Sequence, residues 1–163
     1  MKSFALFLDR DGVVNKEIDY ANRIEDFIFV DDIFKLCKKF QTSGFKIFIV
    51  TNQSGISRKY YSEQDFLNLS EWMSIRFSEE GITISKIYYC PHHPDITGPC
   101  NCRKPKPGLI KRAEMDFDLD LSNSILVGDN ISDIMAGKNA GVGINILIPT
   151  NILPKYLLSD FHR

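Results

Sequence analysis

Five short apolar runs constrain this chain more than anything else in it: SFALFL (3–8), FKIFIV (45–50), ISKIYY (84–89), SILV (124–127) and GINILI (143–148). They are rich in aromatic or β-branched residues and do not alternate strictly, which is the pattern of strands buried on both faces. Between them lie helical periods. From Asp31 to Ser43 the residues Ile33, Leu36, Cys37 and Phe40 share one face before Gly44, and from Ser62 to Glu80 the residues Phe66, Leu69, Met73 and Phe77 do so before Gly81. Ser62 with Asp65 reads as a capping box. Two more helices are predicted, over 107–117 opening at Pro107 and over 131–140 closing at Gly141. The tail after Pro149 reads as a short helix packed on the rest.

Strands and helices in alternation predict right-handed βαβ units: an α/β fold built as a three-layer, Rossmann-like parallel sheet with helices on both faces. With no repeat, low-complexity tract or dividing linker, the 163 residues are expected to form a single domain, 1–163, without a cap domain. Ligands of such folds bind at the carboxyl ends of the strands, so the polar residues that close each apolar run carry the functional information.

Charge narrows the partners. The 20 Lys and Arg residues nearly balance the 21 Asp and Glu, and no basic run exceeds a pair, which argues against nucleic acid and anionic membranes. The N-terminal MKSFALFLDRDG meets Asp9 too early for a signal peptide or a membrane span, so a cytoplasmic location is expected.

The first run closes in LDRDGVVN, placing Asp9 and Asp11 two apart with Gly12 to turn the chain. Two ionised carboxylates about 4 Å apart repel by ~4 kcal/mol at an effective dielectric near 20, a conflict that a divalent cation relieves. The second run closes in VTNQSG, offering the Thr51 hydroxyl, the Asn52 amide and backbone N–H groups suited to phosphate oxygens. Arg103 and Lys104 stand just before a helix N-terminus, which also favours anions. The fourth run closes in VGDNISD, adding Asp129 and Asp133. Together these ends make a magnesium and phosphate site. A histidine-based triad is excluded, because outside 88–108 the only histidine is His162 in the terminal tail.

In that order, Asp9-x-Asp11-Gly12, Thr51-Asn52, Lys104 and Gly128-Asp129 resemble the four motifs of the haloacid dehalogenase (HAD) superfamily of phosphatases. The resemblance implies Asp9 as a nucleophile that forms an aspartyl phosphate, and Asp11 as the acid that protonates the leaving alkoxide and the base that then activates water. It implies Mg2+ held by Asp9, the carbonyl of Asp11, and Asp129, with Thr51 and Lys104 holding the transferring phosphoryl group and Asp133 orienting a metal-bound water.

Cys90-x-His92 and Cys100-x-Cys102, seven residues apart, offer three sulfurs and one nitrogen, a set suited to a closed, structural Zn2+ in a loop spanning 90–102. His93 is the weaker ligand, a disulfide is disfavoured in a reducing compartment, and Cys37 on an apolar helix face reads as core. With the adjacent RKPKPG, the cluster resembles the zinc-containing branch shared by D,D-heptose 1,7-bisphosphate phosphatases and histidinol phosphatases. TNQSGISR and YYCPHHP are more similar to the heptose enzymes.

That resemblance implies a phosphorylated sugar substrate. The expected reaction removes the 7-phosphate of D-glycero-D-manno-heptose 1,7-bisphosphate, supplying nucleotide-activated heptose for surface polysaccharide, with histidinol phosphate as the alternative substrate. Implied substrate contacts are Glu17, Asp19, Tyr20, Asn52, Gln53, Ser54, Arg103 and Asn130, with Arg103 pairing with the phosphate that stays on the sugar. A monomer is expected. Two other classes are weaker: a phospho-acceptor signalling domain would carry its acceptor Asp alone, without the pair and the zinc cluster, and a zinc nucleic-acid module would present a basic face.

Overall fold

A computed structural model describes residues 1–159, so His162 lies outside the described residues. Five strands, β1 (Phe4–Leu8), β2 (Phe45–Asn52), β3 (Ile84–Cys90), β4 (Ile125–Gly128) and β5 (Ile144–Leu147), form one parallel sheet in the order β3-β2-β1-β4-β5. Five helices accompany them: α1 (Ile33–Thr42), α2 (Glu63–Glu79), α3 (Pro94–Thr97), α4 (Gly108–Phe117) and α5 (Ile131–Ala140). The α/β architecture is the one the alternation predicts. Only the single turn α3 is additional among the helices, and β2 runs two residues past its apolar run, taking Thr51 and Asn52 into the strand.

Side chains alternate across the sheet and so build two cores. Leu6, Leu8, Ile47, Ile49 and Val127 meet Ile33, Leu36, Phe40, Met73 and Phe77 of α1 and α2 on one face. On the other, Ala5, Phe7, Phe48, Val50 and Leu126 meet Leu109, Ile110, Ala113 and Ala136 of α4 and α5. Helix α2 opens with the capping box of Ser62 and Asp65, and α5 opens with a second one made by Asn130 and Asp133. The tail forms a 3-10 turn, Lys155–Leu157, that buries Leu157 beside Leu153 in the first core.

Because β1 pairs with β2 on one side and β4 on the other, the chain leaves in opposite directions from the middle of the sheet. The carboxyl ends of β1 and β4 therefore splay around a crevice. The connections above it, 9–32 and 91–107, are loops with single helical turns rather than a separate cap. Among the described residues no helix is long and apolar enough to cross a membrane.

Candidate active site

Asp9 follows β1 directly, its N–H continuing the ladder to the Val127 carbonyl of β4 at 3.1 Å. The chain then turns sharply, with the Val13 and Val14 N–H groups donating to the Arg10 carbonyl. Gly12 sits at φ +90°, and a Cβ there would lie 2.1 Å from Asp129 Oδ2. Only glycine both adopts this backbone and lets the β1 turn pass the carboxylate at the end of β4.

Lys104, buried at 5% exposure, reaches into the same crevice from the far end of the sequence. Its Nζ lies 2.9 Å from Asp9 Oδ1 and 2.5 Å from Asp133 Oδ1, and donates to the Val50 carbonyl at 3.0 Å. The Asn52 side chain holds this loop by its backbone, accepting from Lys104 N at 3.1 Å and donating to Lys104 O at 3.4 Å. Asp133, expected to orient a metal-bound water, pairs with Lys104 through Oδ1 and accepts from Asn130 N–H at Oδ2. Its burial at the start of α5 brings it against the ammonium.

Asp9, Asp129 and Asp133 each place a carboxylate oxygen within 4.8 Å of the other two. Three carboxylates face one ammonium, so the group carries surplus negative charge. Burial lifts the Asp9 carboxyl well above the usual carboxylate range; Lys104 opposes the rise and the neighbouring Asp133 and Asp11 add to it. Burial would lower the Lys104 ammonium, but the charges of Asp9 and Asp133 outweigh it and hold its pKa above the ordinary value. An all-oxygen donor set with excess negative charge is what a hard divalent cation such as Mg2+ takes. The Asp11 carboxylate is outside this group, turned toward Arg10, Asn15 and Gln53.

A cleft of about 500 Å3 opens over these residues. Asp9, Asp11, Lys104 and Asp129 line it together with Glu17, Asp19, Tyr20, Asn52, Gln53, Ser54 and Asn130. Burial and the surrounding carboxylates of Asp11, Asp129 and Asp19 push the Glu17 carboxyl up to about 7. A larger hollow of about 870 Å3 lies at the opposite ends of the strands, between Phe4, Phe45, Ile144 and lysines of α1, far from every strand-end carboxylate, so the smaller cleft is the candidate site.

Two expected contacts sit elsewhere. Thr51 is 1% exposed beneath the cleft, its Oγ1 accepting from Gln53 Nε2 at 2.9 Å and donating to Asn52 O at 3.4 Å. Arg103 lines an adjacent hollow of about 290 Å3 with Cys100 and Lys106, and its Nη1 donates to the His92 carbonyl at 3.2 Å.

The sulfurs of Cys90, Cys100 and Cys102 converge, with Cys90 Sγ 3.6 Å from Cys100 Sγ and 2.7 Å from Cys102 Sγ, all as free cysteines. Three soft ligands gathered this closely suit zinc. The His92 ring is not within the 4.8 Å group, while His93 caps α3 by accepting from Asp95 N–H at Nδ1. Sequence reasoning missed Arg10, Asn15, Tyr61 and Thr150. Thr150 donates to Asp129 Oδ2 at 2.9 Å across the β4 and β5 ends, and Tyr61 Oη donates to Gln53 Oε1 within the loop after β2, contacts that no sequence pattern announces.

Residues 101–156 match the family model for HAD-hydrolase-like proteins. The chain is 52% identical over 148 residues to the D-glycero-alpha-D-manno-heptose-1,7-bisphosphate 7-phosphatase of Campylobacter jejuni, covering 91% of this chain and 84% of that protein. It is 40% identical over 151 residues to the D-glycero-beta-D-manno-heptose-1,7-bisphosphate 7-phosphatase of Yersinia pestis, covering 90% of this chain and 80% of that one. The crystal structure of the D,D-heptose 1,7-bisphosphate phosphatase of B. bronchiseptica, complexed with magnesium and phosphate, superposes with a TM-score of 0.79 at 29% identity, covering 86% of this chain and 79% of that one.

Proposed function

The chain belongs to the D,D-heptose 1,7-bisphosphate phosphatase family of HAD-like phosphatases, and on that footing we propose that it hydrolyses the 7-phosphate of D-glycero-D-manno-heptose 1,7-bisphosphate. The α anomer is the proposed substrate, since two relatives named for it share 52% and 50% identity, while relatives named for the β anomer share 39–43%. The observation that carries the reading is the meeting of Asp9 and Asp11 from the end of β1, Asp129 from the end of β4 and Lys104 from the loop before α4 in one cleft.

Asp9 is the nucleophile. Its carboxylate attacks phosphorus, the bond to the sugar oxygen breaks, and Asp11 gives that oxygen a proton. Asp11 then takes a proton from the water that attacks the aspartyl phosphate, and Asp9 is released with inorganic phosphate. Lys104, fixed between Asp9 and Asp133, aligns the nucleophile and faces the phosphoryl oxygens with positive charge. The Thr51 hydroxyl, which spends its hydrogen only on the 3.4 Å contact to Asn52 O, turns that hydrogen to the phosphoryl group. Mg2+ would be held by Asp9, the Asp11 carbonyl and Asp129, and would supply charge neutralisation between an anionic nucleophile and an anionic ester.

The sugar lies in the cleft lined by Glu17, Asp19, Tyr20, Asn52, Gln53, Ser54 and Asn130. Arg103 takes the remaining phosphate from the neighbouring hollow once it releases the His92 carbonyl. Zn2+ would be held by the three converging sulfurs of Cys90, Cys100 and Cys102, with His92 completing the set once its ring turns to them, and would pin the loop that carries Arg103 and Lys104. The protein acts as a cytoplasmic monomer in the supply of nucleotide-activated heptose for surface polysaccharide.

Phosphate release from the α and β heptose bisphosphates and from histidinol phosphate, compared at equal enzyme in Mg2+, tests the assignment. Fastest turnover is expected on the α bisphosphate; faster turnover of histidinol phosphate would overturn the substrate. Asp9→Asn is expected to abolish turnover on all three, and activity surviving that change would remove Asp9 as nucleophile.

A further inference from the structure

Arg10 has no part in the chemistry above, yet it is the largest fully buried side chain, at 1% exposure. Its guanidinium lies between two rings, 6.0 Å from the centroid of Phe27 and 5.9 Å from that of Phe66. An apolar side chain of similar volume usually stabilises such a position as well as a buried ion pair or better. Stability therefore does not explain the charge.

What the charge does is visible in its bonds. Nη2 donates to Asp11 Oδ1 at 2.9 Å and to Oδ2 at 3.2 Å, and Nε reaches Oδ1 at 3.3 Å. The same Nη2 donates to the Ala21 carbonyl at 2.9 Å. Two neutral amides complete the hold: Asn15 Nδ2 on Oδ1 at 3.0 Å and Gln53 Nε2 on Oδ2 at 3.2 Å. Asn15 is fully buried, and Gln53 is itself oriented by Tyr61. A lone Asp at a cleft edge turns among several rotamers, and proton transfer works only from one within hydrogen-bond reach of the reacting oxygen. The planar guanidinium is the part of this shell with a geometry of its own.

We propose that Arg10 is a positioning residue: its buried guanidinium fixes the Asp11 carboxylate in the orientation from which it exchanges protons, and through Ala21 ties it to the segment carrying Glu17, Asp19 and Tyr20. The inference rests on the acid–base role given to Asp11 above. A sugar that settles against Tyr20 is then held by the same unit that aims the proton at its oxygen. Lysine at this position keeps the charge but cannot form the fork.

The test is a double-mutant cycle on heptose bisphosphate turnover with Arg10→Met, Arg10→Lys, Asp11→Asn and the two double variants, each assayed below its melting temperature. Arg10→Met is expected to lower kcat about 100-fold, the cost of a displacement near 1 Å in a reacting group, with KM changed less than about threefold. In the Asp11→Asn background the same change should cost less than about threefold, because the group being positioned is gone. Arg10→Lys should fold as the wild type does yet keep no more than about a tenth of its kcat, and it carries the cycle alone if Arg10→Met does not fold. A loss that repeats in full beside Asp11→Asn would show Arg10 acting on the fold at large and overturn the proposal, as would wild-type kcat in either single Arg10 variant. Wild-type turnover by Asp11→Asn alone would instead overturn the acid–base reading, and this inference with it.

Discussion

Lys104→Met removes the ammonium that pairs with Asp9 and Asp133 in a group of three carboxylates completed by the half-buried Asp129. Breaking a buried ion pair by deleting one partner costs about 3–5 kcal/mol, because the remaining charge stays buried without compensation. For a domain of this size each kcal/mol moves the melting temperature by about 2–4 °C, so a fall of roughly 6–20 °C is expected. The loss should depend on pH in a defined sense. Burial already raises the Asp9 carboxyl above its ordinary value of 3.8, and Lys104 opposes that rise. A carboxyl raised in the folded state leaves the fold unpenalised at low pH and penalises it as pH climbs and ionisation is forced. Without Lys104 the rise is larger, so the deficit against wild type opens above pH ~4 and grows toward alkaline pH.

Thermal unfolding of both proteins in a chelator, from about pH 5 to pH 8, reads this directly. Added Mg2+ should then recover part of the loss, since a cation at 100 times its Kd stabilises the folded state by about 2.7 kcal/mol. Turnover should fall by a factor of about 100 to 1,000, as when one preorganised donor is lost. Equal melting temperatures at alkaline pH, or a deficit that does not change with pH, would refute the electrostatic account of this cleft.

Three further outcomes are expected. Glu17→Gln removes a carboxyl that folding pushes from 4.5 to about 7, so the variant should gain stability over wild type as pH rises through that window and match it at the acid end. Glu17 is largely exposed, so the gain stays below about 1 kcal/mol, and a variant less stable at neutral pH in chelator would contradict the sign. Cys102→Ser should abolish zinc content by elemental analysis, lower the melting temperature and raise KM for the bisphosphate; full zinc content would exclude the sulfur cluster as the site. Gly12→Ala forces a left-handed backbone at a cost of about 1–3 kcal/mol and drives a methyl group against Asp129, so Mg2+ affinity should drop, and unchanged Mg2+ activation would show that the close approach is unimportant.

Much of the fold was legible in local pattern. The apolar runs mark the five strands to within two residues, and the glycines at 44, 81 and 141 follow the ends of α1, α2 and α5. Asp9, Asp11, Asn52, Lys104 and Asp129, read as strand-end and loop polar groups, do meet around one cleft. These features are local because burial imposes its period on the chain itself, and a strand end is where that period stops.

Which charge meets which was not legible. Lys104 and Asp9 are 95 positions apart, and their contact depends on the sheet order that places β4 beside β1. The same order brings Asp133 against Lys104. Nor was it legible that Thr51 is buried, that Arg103 lines a neighbouring hollow or that the His92 ring stands outside the group of three sulfurs. Arg10 is the sharpest case: nothing in LDRDG marks it out, and only packing shows it buried beside Phe27 and Phe66. Hydrophobic period determines which residues turn inward and where strands stop, whereas the partner of a buried charge depends on the crossovers that bring distant strand ends together.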